Sequence, residues 1–291
     1  MTASLASSVV VGVDGSPGSE AALDWAVGEA RARGLGLHVI HGFGRELAVA
    51  SMGVIGRFPV PDTAAIAAAA RRLLDHAVRR ARESAPDVPV SHELDEDDAV
   101  TTLVQCSASS PLVVVGSRRR GPIGSAVLGS VGAAVAAGAH GPVVVVRGPA
   151  GIPAEHPCVV VGVDLFVQSD DVMRFAFEHA ERGGMHLEVL CCWSPDLLAG
   201  MMWRPQQPAP AWVVDKLAEI VRPYESEFPH VKVHSAVVRD HAVDGLVAAA
   251  DAQALVVVGS TTRHPRVGSL LGSVSQGVLH HVTCPVAVVP T

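Results

Sequence analysis

An internal repeat is the feature that most constrains how this chain can fold. The hexapeptide VVVGVD occurs at Val9–Asp14 and again, 150 positions later, at Val159–Asp164. Three further matches follow in the same order in both halves: LVVVGS at Leu112 and Leu255, LGSV at Leu128 and Leu271, and a Pro-led apolar run at Pro142 and Pro285. A repeated order of matched segments predicts two tandem copies of one domain of ordinary size.

The boundary between the copies is marked by composition. The stretch GPAGIPAEHP at residues 148–157 is rich in Gly and Pro, which is typical of a linker. We therefore predict an N-terminal domain over residues 1–148 and a C-terminal domain over residues 157–291.

Within each copy, short and continuous Val-rich runs alternate with helical segments. Continuous apolar runs are typical of strands that are buried on both faces of a parallel sheet. Helix starts are predicted at Ser16-Pro17, Asp98 and Ser130 from their capping residues. The pattern predicts an α/β fold with two tandem doubly wound, Rossmann-like domains, each a five-stranded parallel sheet of strand order 3-2-1-4-5. The strands are expected at Val9–Val13, Leu37–Ile40, Val90–Leu94, Leu112–Val115 and Val143–Val146, and in the second copy near Val159, Leu187, Val231, Leu255 and Val286.

Glycines end the first and fourth predicted strands of each copy. In a doubly wound sheet, ligands bind at the carboxyl ends of the strands where the strand order reverses, which here is between these two strands. Gly12 is expected to face Gly116, and Gly162 to face Gly259. A glycine at a strand end allows a ligand to approach the backbone closely, although each glycine taken alone can also be a simple strand-end turn.

A helix start follows the fourth strand, at Gly129-Ser130. The N–H groups of a helix N-terminus and its positive dipole end form a natural seat for phosphate. Asp14 can act on a ribose, on a bound metal ion or on a backbone donor. The residues alone therefore predict a phosphate-bearing ligand, such as a nucleotide, in each half.

Two common nucleotide motifs are absent from the sequence. The Walker A motif requires a lysine after a Gly-rich loop, but the two lysines, Lys216 and Lys232, are not near such a loop. The dinucleotide fingerprint is also missing, because Gly12-Val13-Asp14-Gly15 has the wrong spacing.

Composition limits the possible partners and compartment. A net charge of −7 and an aromatic content of 4% argue against nucleic-acid binding. No apolar run reaches membrane-spanning length, and the N-terminus MTASLASS lacks the features of a signal peptide. The five cysteines are scattered, with Cys191 adjacent to Cys192, so we expect a reduced, cytoplasmic protein without a membrane contact.

Together these segments resemble the universal stress protein family in its tandem two-domain form. The resemblance rests on VVVGVDGSPGSEAALDWA, LHVIHGF, LVVVGS, LGSV and CPVAVV, and it covers nearly the whole chain. The ATP-binding branch of the family has the loop G-x2-G-x9-G-[ST]. Its frame is present here from Gly116 to Gly129-Ser130 and from Gly259 to Gly272-Ser273, but Arg119 and Thr262 replace the second glycine. In a loop that needs positive φ at this position, neither replacement is favoured.

The resemblance implies a set of nucleotide-binding residues. It places the adenine edge against the backbone around Val39–His41 and the phosphates against Gly129, Ser130 and Val131. The implied set is Gly12, Val13, Asp14, Val39, Ile40, Gly116, Ser117, Arg118, Arg119, Gly121, Gly129, Ser130 and Val131 in the first copy, and Gly162, Val163, Asp164, Gly259, Ser260, Thr261, Gly272, Ser273 and Val274 in the second.

The second copy departs further from the family pattern. Leu165-Phe166-Val167 stands where the first copy has Gly15-Ser16-Pro17. We expect a bulky side chain to enter near the second pocket, so the first site ranks above the second.

The resemblance implies a stress-response protein that binds ATP, with or without Mg²⁺, or a related adenine nucleotide, and whose output is regulatory. Cyclic AMP and AMP rank lower as ligands. We expect no catalysis and no metal centre of its own, since His280-His281 has no further ligand nearby. The alternative, favoured by Arg119 and Thr262, is a degenerate tandem module that acts through homo-oligomers and protein partners. We expect the last strands of the two copies to pair with each other, and another face to form a homodimer.

Overall fold

The computed structural model describes residues 5–42, 63–96, 98–119, 126–127, 129–147, 157–167, 170–193, 209–250, 254–260 and 271–291. The chain divides into two compact units, Met1–Ala150 and Gly151–Thr291. The pairing of the two last strands with each other stays a prediction.

The N-terminal unit alternates strands and helices after a short 3-10 turn at Leu5–Ser7. Its described elements are β1 Ser8–Gly12, α1 Pro17–Arg33, β2 Gly36–Gly42, α2 Thr63–Ser84, β3 Val90–Asp95, α3 Ala99–Ser107, β4 Leu112–Gly116, β5 Arg118–Arg119, β6 Ala126–Val127, α4 Ser130–Gly138 and β7 Val143–Val146.

The C-terminal unit repeats the pattern. Its described elements are β8 Cys158–Gly162, α5 Asp170–Gly183, β9 His186–Cys192, α6 Ala211–Glu227, β10 Val233–Val238, α7 Ala242–Ala249, β11 Ala254–Ser260, α8 Ser273–His281 and β12 Val286–Pro290.

Each unit builds one parallel sheet, which confirms the predicted fold class. The strand order is β3-β2-β1-β4-β7 in the first unit and β10-β9-β8-β11-β12 in the second, which is 3-2-1-4-5 in both. The inner strands are buried without alternation, and Val9, Val10 and Val11 are each 0% exposed. Helices cover both faces of such a sheet, so every position of an inner strand needs an apolar side chain.

Three local details differ from the sequence predictions. Arg118–Arg119 and Ala126–Val127 form a short antiparallel ladder in the stretch that was predicted to be an open loop. The third strand of the second copy begins at Val233 rather than near Val231. Ser130 is the first helical residue of α4, and Gly129 occupies the cap position.

No helix in the described part of the chain is long and apolar enough to cross a membrane.

Candidate functional site

A cavity of about 140 Å³ lies at the carboxyl ends of β1 and β4, where the strand order reverses. It is bounded by strand ends from β1, β2 and β4 and by the first turns of α1, α3 and α4. The described residues that line it are Gly12, Val13, Asp14, Ser16, Ser19, Ile40, Gly42, Ala99, Leu103, Val115, Gly116, Gly129, Val131 and Gly132.

The cavity brings together part of the residue set implied by the family resemblance. The predicted residues on its lining are Gly12, Val13, Asp14, Ile40, Gly116, Gly129 and Val131. Val39 and Ser117 are buried away from it, at 0% and 2% exposure, and Ser130 is exposed on α4. Arg118 and Arg119 form β5, whereas Gly121 lies outside the described residues.

Seven lining residues were not predicted from the sequence, namely Ser16, Ser19, Gly42, Ala99, Leu103, Val115 and Gly132. Ser16 and Ser19 belong to the start of α1, and Ala99 and Leu103 to α3. Gly42 and Gly132 could have been singled out from the sequence, because the second copy has a larger residue at each of these positions, Cys192 and Ser275.

The strand-end glycines have a packing role that does not depend on a ligand. A Cβ atom at Gly116 would overlap the backbone of Gly18 in α1, and one at Gly12 would lie 2.8 Å from Cδ1 of Leu103 in α3. Real Cβ atoms do not approach other atoms this closely. At Gly116 the obstacle is backbone, so α1 can lie this close to β4 only because the strand end carries no side chain. At Gly12 the obstacle is the end of the Leu103 side chain, which would have to shift.

Asp14 takes the third of its three expected roles, that of an acceptor for a backbone donor. The N–H of Ser16 donates to Oδ1 of Asp14 over 3.0 Å, and in the second domain the N–H of Phe166 donates to Oδ1 of Asp164 over 2.9 Å. Such a bond fixes the turn that leaves the strand. The two carboxylates therefore accept the same kind of backbone hydrogen bond in both domains.

Helix α4 differs from the other two helices that begin at the cavity. The hydroxyl of Ser16 accepts from the N–H of Ser19 at the start of α1, and the carboxylate of Asp98 accepts from Thr101 at the start of α3. At α4 the cap residue is Gly129, which makes no side-chain hydrogen bond. The capping residue therefore leaves the first-turn amides of α4 available, next to the cavity, and such amides attract anions.

The end of β2 contributes Ile40 and Gly42 to the cavity lining. The carbonyl oxygen of Ile40 accepts from the N–H of Val13 over 2.9 Å, and Nδ1 of His41 donates to the carbonyl oxygen of Val13 over 2.7 Å. The backbone around Val39–His41, which the resemblance places against an adenine edge, is therefore already engaged with β1 at Ile40. On this side of the cavity a ligand would meet Ile40 and Gly42.

In the second domain, larger side chains stand at equivalent positions. Cys192 corresponds to Gly42 and Ser275 to Gly132. The Ser275 hydroxyl donates to the carbonyl oxygen of Gly259 over 2.6 Å, and the Cys192 thiol lies 3.9 Å from the carbonyl oxygen of Ala242. The Ser275 side chain occupies space that is open beside Gly132, where a Cβ atom would have its nearest neighbour at 3.7 Å. Beside Gly42 the space is already taken by Ala99, whose Cα would lie 2.8 Å from a Cβ atom there.

Two predicted residues of the second site, Gly162 and Gly272, keep the geometry of their counterparts in the first. Gly162 packs against Leu246, as Gly12 does against Leu103, and Gly272 is the cap residue of α8 without a side-chain bond. The remaining predicted residues are placed as follows: Val163 and Ser260 are buried, Gly259 is partly exposed at the end of β11, Ser273 and Val274 open α8, and Thr261 lies outside the described residues.

Phe166, the bulky residue expected near the second pocket, is exposed rather than buried. Its side chain is 74% exposed and contacts the ring of Trp212 at a centroid distance of 6.3 Å. Since the structure describes no residue other than glycine with positive φ, Leu165 does not copy the backbone of Gly15, which has φ of 75°. The turn after Asp164 therefore takes another path and directs Phe166 outward.

At the end of β9, Cys191 is buried and Cys192 is partly buried, and neither forms a disulfide. Burial raises the pKa of both to about 11, with a smaller contribution from Cys192 to the pKa of Cys191 and from Asp240 to that of Cys192. Among the described residues, no group of three His, Cys, Asp or Glu side chains is placed to hold a metal ion.

We expect Cys191 and Cys192 to react slowly with iodoacetamide at pH 8. The thiolate is the reactive species, and a pKa near 11 leaves about a hundred-fold less of it than in an unfolded cysteine. Mass mapping of the labelled peptides in native and urea-unfolded protein measures the ratio. Equal labelling in both states would contradict the burial of this strand end.

Comparison with known proteins follows the same division of the chain. The sequence model of the universal stress protein family matches residues 7–147 and 158–290. A universal stress protein of Mycobacterium tuberculosis is 34% identical over 292 residues, covering 96% of both chains, and one of Mycolicibacterium smegmatis is 32% identical over 295 residues, covering 97% of this chain and 96% of the other. The chain therefore belongs to the universal stress protein family.

A solved structure agrees on the fold. The crystal structure of a universal stress protein from Archaeoglobus fulgidus superimposes with a TM-score of 0.72 over 98% of each chain, at 14% sequence identity. At this identity the likeness establishes the architecture of two doubly wound domains.

Proposed function

We propose that the N-terminal domain binds an adenine nucleotide in the cavity between β1, β4 and α4, and that ATP is the preferred ligand. The observation that carries the proposal is the glycine cap of α4: of the three helices that begin at the cavity, this one lacks a capping side chain. A phosphate at this position would accept from the first-turn amides and would be favoured by the helix dipole.

The choice of an adenine nucleotide rests on the spacing of the loop glycines in the sequence. Gly116 and Gly129-Ser130 keep the outer spacing of the loop in the ATP-binding branch of the family. AMP and cyclic AMP rank below ATP in this proposal, and Mg²⁺ would arrive with the nucleotide.

The proposal assigns binding and a regulatory output to the site, without a catalytic step. The polar side chains on the described lining are those of Asp14, Ser16 and Ser19. Asp14 and Ser16 hold the turn before α1, and the Ser19 hydroxyl donates to the carbonyl oxygen of Ser16 over 2.9 Å. These side chains form hydrogen bonds with the local backbone, which supports a rigid binding site rather than a catalytic one. The protein proposed here is a cytoplasmic stress-response protein.

We further propose that one nucleotide binds per chain. Cys192 and Ser275 fill positions that are glycine in the first domain, and the Ser275 hydroxyl already uses the carbonyl oxygen of Gly259. The second domain therefore offers less room at the equivalent place.

A second candidate function has its own observation. Gly116 is needed for the close approach of α1 to β4, and Gly12 and Gly162 each lie against a leucine side chain, so these glycines have a packing role without a ligand. The alternative is a tandem module that acts through self-association and protein partners, with the glycines kept for the fold.

Gly132→Ser is expected to weaken ATP binding at least about ten-fold without unfolding the domain. A Cβ atom at Gly132 would meet its nearest neighbour, the carbonyl oxygen of Gly116, at 3.7 Å, which is an ordinary contact. The new hydroxyl can donate to that oxygen as Ser275 does to Gly259, and it then fills the cavity beside α4. Displacement of a fluorescent ATP analogue by ATP, AMP and cyclic AMP measures the affinities.

Ser275→Gly is the matched control and is expected to leave the affinity of the first site unchanged. If Gly132→Ser binds ATP as tightly as the wild-type protein, the nucleotide does not occupy this cavity. If the wild-type protein binds none of the three nucleotides, the interaction-module function replaces the proposal.

A further inference from the structure

Exposed apolar side chains gather at one place on the C-terminal domain. Among the residues that the structure describes, the large hydrophobic side chains with high exposure are Phe166 at 74%, Val214 at 50% and Trp212 at 46%. The ring of Trp212 contacts Phe166 at a centroid distance of 6.3 Å and Trp193 at 5.6 Å. We call Phe166, Trp193 and Trp212 the aromatic cluster.

The aromatic cluster is built from separate elements that the fold brings together. Phe166 follows β8, Trp193 follows β9, and Trp212 lies in the first turn of α6. The plane of Trp212 is turned by 57° from Phe166 and by 88° from Trp193, so the rings do not form a closed stack. Edge-to-face contacts hold such rings in place while leaving ring faces open to a further group.

The aromatic cluster is distinct from the aromatic core of the domain. Phe177, Tyr224 and Phe228 are buried, and the ring of Phe177 contacts the other two at centroid distances of 5.4 Å and 5.5 Å. The domain therefore has its packed aromatic residues elsewhere. The first domain has Ser16 at the position of Phe166, so the fold itself does not require a ring there.

The charged groups nearest in the chain to the aromatic cluster are carboxylates. Asp164 accepts from the backbone of Phe166 and is exposed, and Asp215 is exposed three positions after Trp212. The neighbouring cation, Lys216, is bound to Glu219 over 2.9 Å. Exposed aromatic side chains that are close in the chain to exposed carboxylates favour a cation over an anion, because the face of an aromatic ring carries negative charge.

We propose that the aromatic cluster binds small organic cations of the quaternary ammonium class. The positive group would rest on the exposed faces of Phe166 and Trp212, and the carboxylates of Asp164 and Asp215 would add attraction at the rim. This site lies in the other domain from the nucleotide cavity and does not depend on it.

Choline is the probe, and the indole N–H resonances of the ¹⁵N-labelled full chain are the readout. We expect saturable shifts of Trp193 and Trp212 with choline, and no shift of Trp25, which lies in the N-terminal domain and serves as an internal reference. Three controls separate the sources of an effect: 3,3-dimethyl-1-butanol is the neutral isostere of choline, sodium chloride tests ionic strength, and free arginine represents a side chain of a protein partner.

Trp212→Leu keeps an apolar side chain but removes the central ring, and we expect it to weaken choline binding about five-fold or more, as followed at Trp193. Val214→Ala, which changes an exposed apolar residue two positions further along α6, is expected to leave the affinity unchanged. Equal responses to choline and its neutral isostere would overturn the proposal, as would an unchanged affinity in Trp212→Leu or the absence of any saturable shift. Tighter binding of arginine than of choline would assign the surface to a protein partner instead and overturn the assignment to a small molecule.

Discussion

Replacing Gly129 by Asp is expected to weaken ATP binding about a hundred-fold, which corresponds to about 2.7 kcal/mol. Gly129 has φ of −63° and ψ of 145°, which is the extended conformation that a capping Asp adopts. The new carboxylate would accept from the first-turn amides of α4 and would place a negative charge where the proposal places a phosphate. The helix itself would gain a cap, so the fold should be retained.

Gly272→Asp is the matched control for this prediction. Gly272 caps α8 with φ of −59° and ψ of 152°, so the same substitution adds the same cap and the same charge to the other domain. Titration of each variant with ATP, together with its thermal unfolding curve, makes the comparison. Equal ATP affinities in Gly129→Asp and Gly272→Asp would show that ATP binding does not depend on the start of α4.

Gly18→Ala is expected to lower the free energy of unfolding by about 2–3 kcal/mol. A Cβ atom at Gly18 would overlap the carbonyl oxygen of Ser117, just after β4. This oxygen belongs to the backbone and cannot move away as the end of a flexible side chain could. The first turn of α1 would have to lift from the sheet, and the cavity lining at Ser16 and Ser19 would shift with it.

Gly28→Ala in the same helix should have the opposite effect. Gly28 is exposed, and a Cβ atom there would have no neighbour within 4 Å. Removing a glycine from a helix interior stabilises by about 0.5–1 kcal/mol. Urea unfolding of both variants tests the pair, and a loss of stability in Gly28→Ala as large as in Gly18→Ala would mean that the close contact with β4 is not the cause.

The fold was predictable because its signal is local and repeated. Runs such as Val143–Val146 identify buried strands by themselves, and the alternation with helices then leaves few topologies for the sheet. The ends of elements were less predictable. Ser130 was expected to cap α4, but the chain places Gly129 at the cap, and both residues fit the sequence pattern equally well.

The candidate site was predictable only where the repeat marks it. Gly12, Gly116 and Gly129 stand out as matched glycines, and all three line the cavity. Ala99 and Leu103 could not be recognised, because their place on the lining depends on how α3 packs against the end of β1. Phe166 could not be placed either, since the direction of its side chain depends on the backbone path after Asp164.

The measurement that tests nucleotide binding most directly is a calorimetric titration of the full chain with ATP and Mg²⁺. We expect saturable heat with a stoichiometry of about one nucleotide per chain, abolished or strongly weakened in Gly129→Asp and unchanged in Gly272→Asp. A stoichiometry of about two would show that Cys192 and Ser275 do not close the second site. The absence of heat, with no displacement of a fluorescent analogue, would contradict nucleotide binding. The repeated glycines would then be explained by the packing of the fold alone.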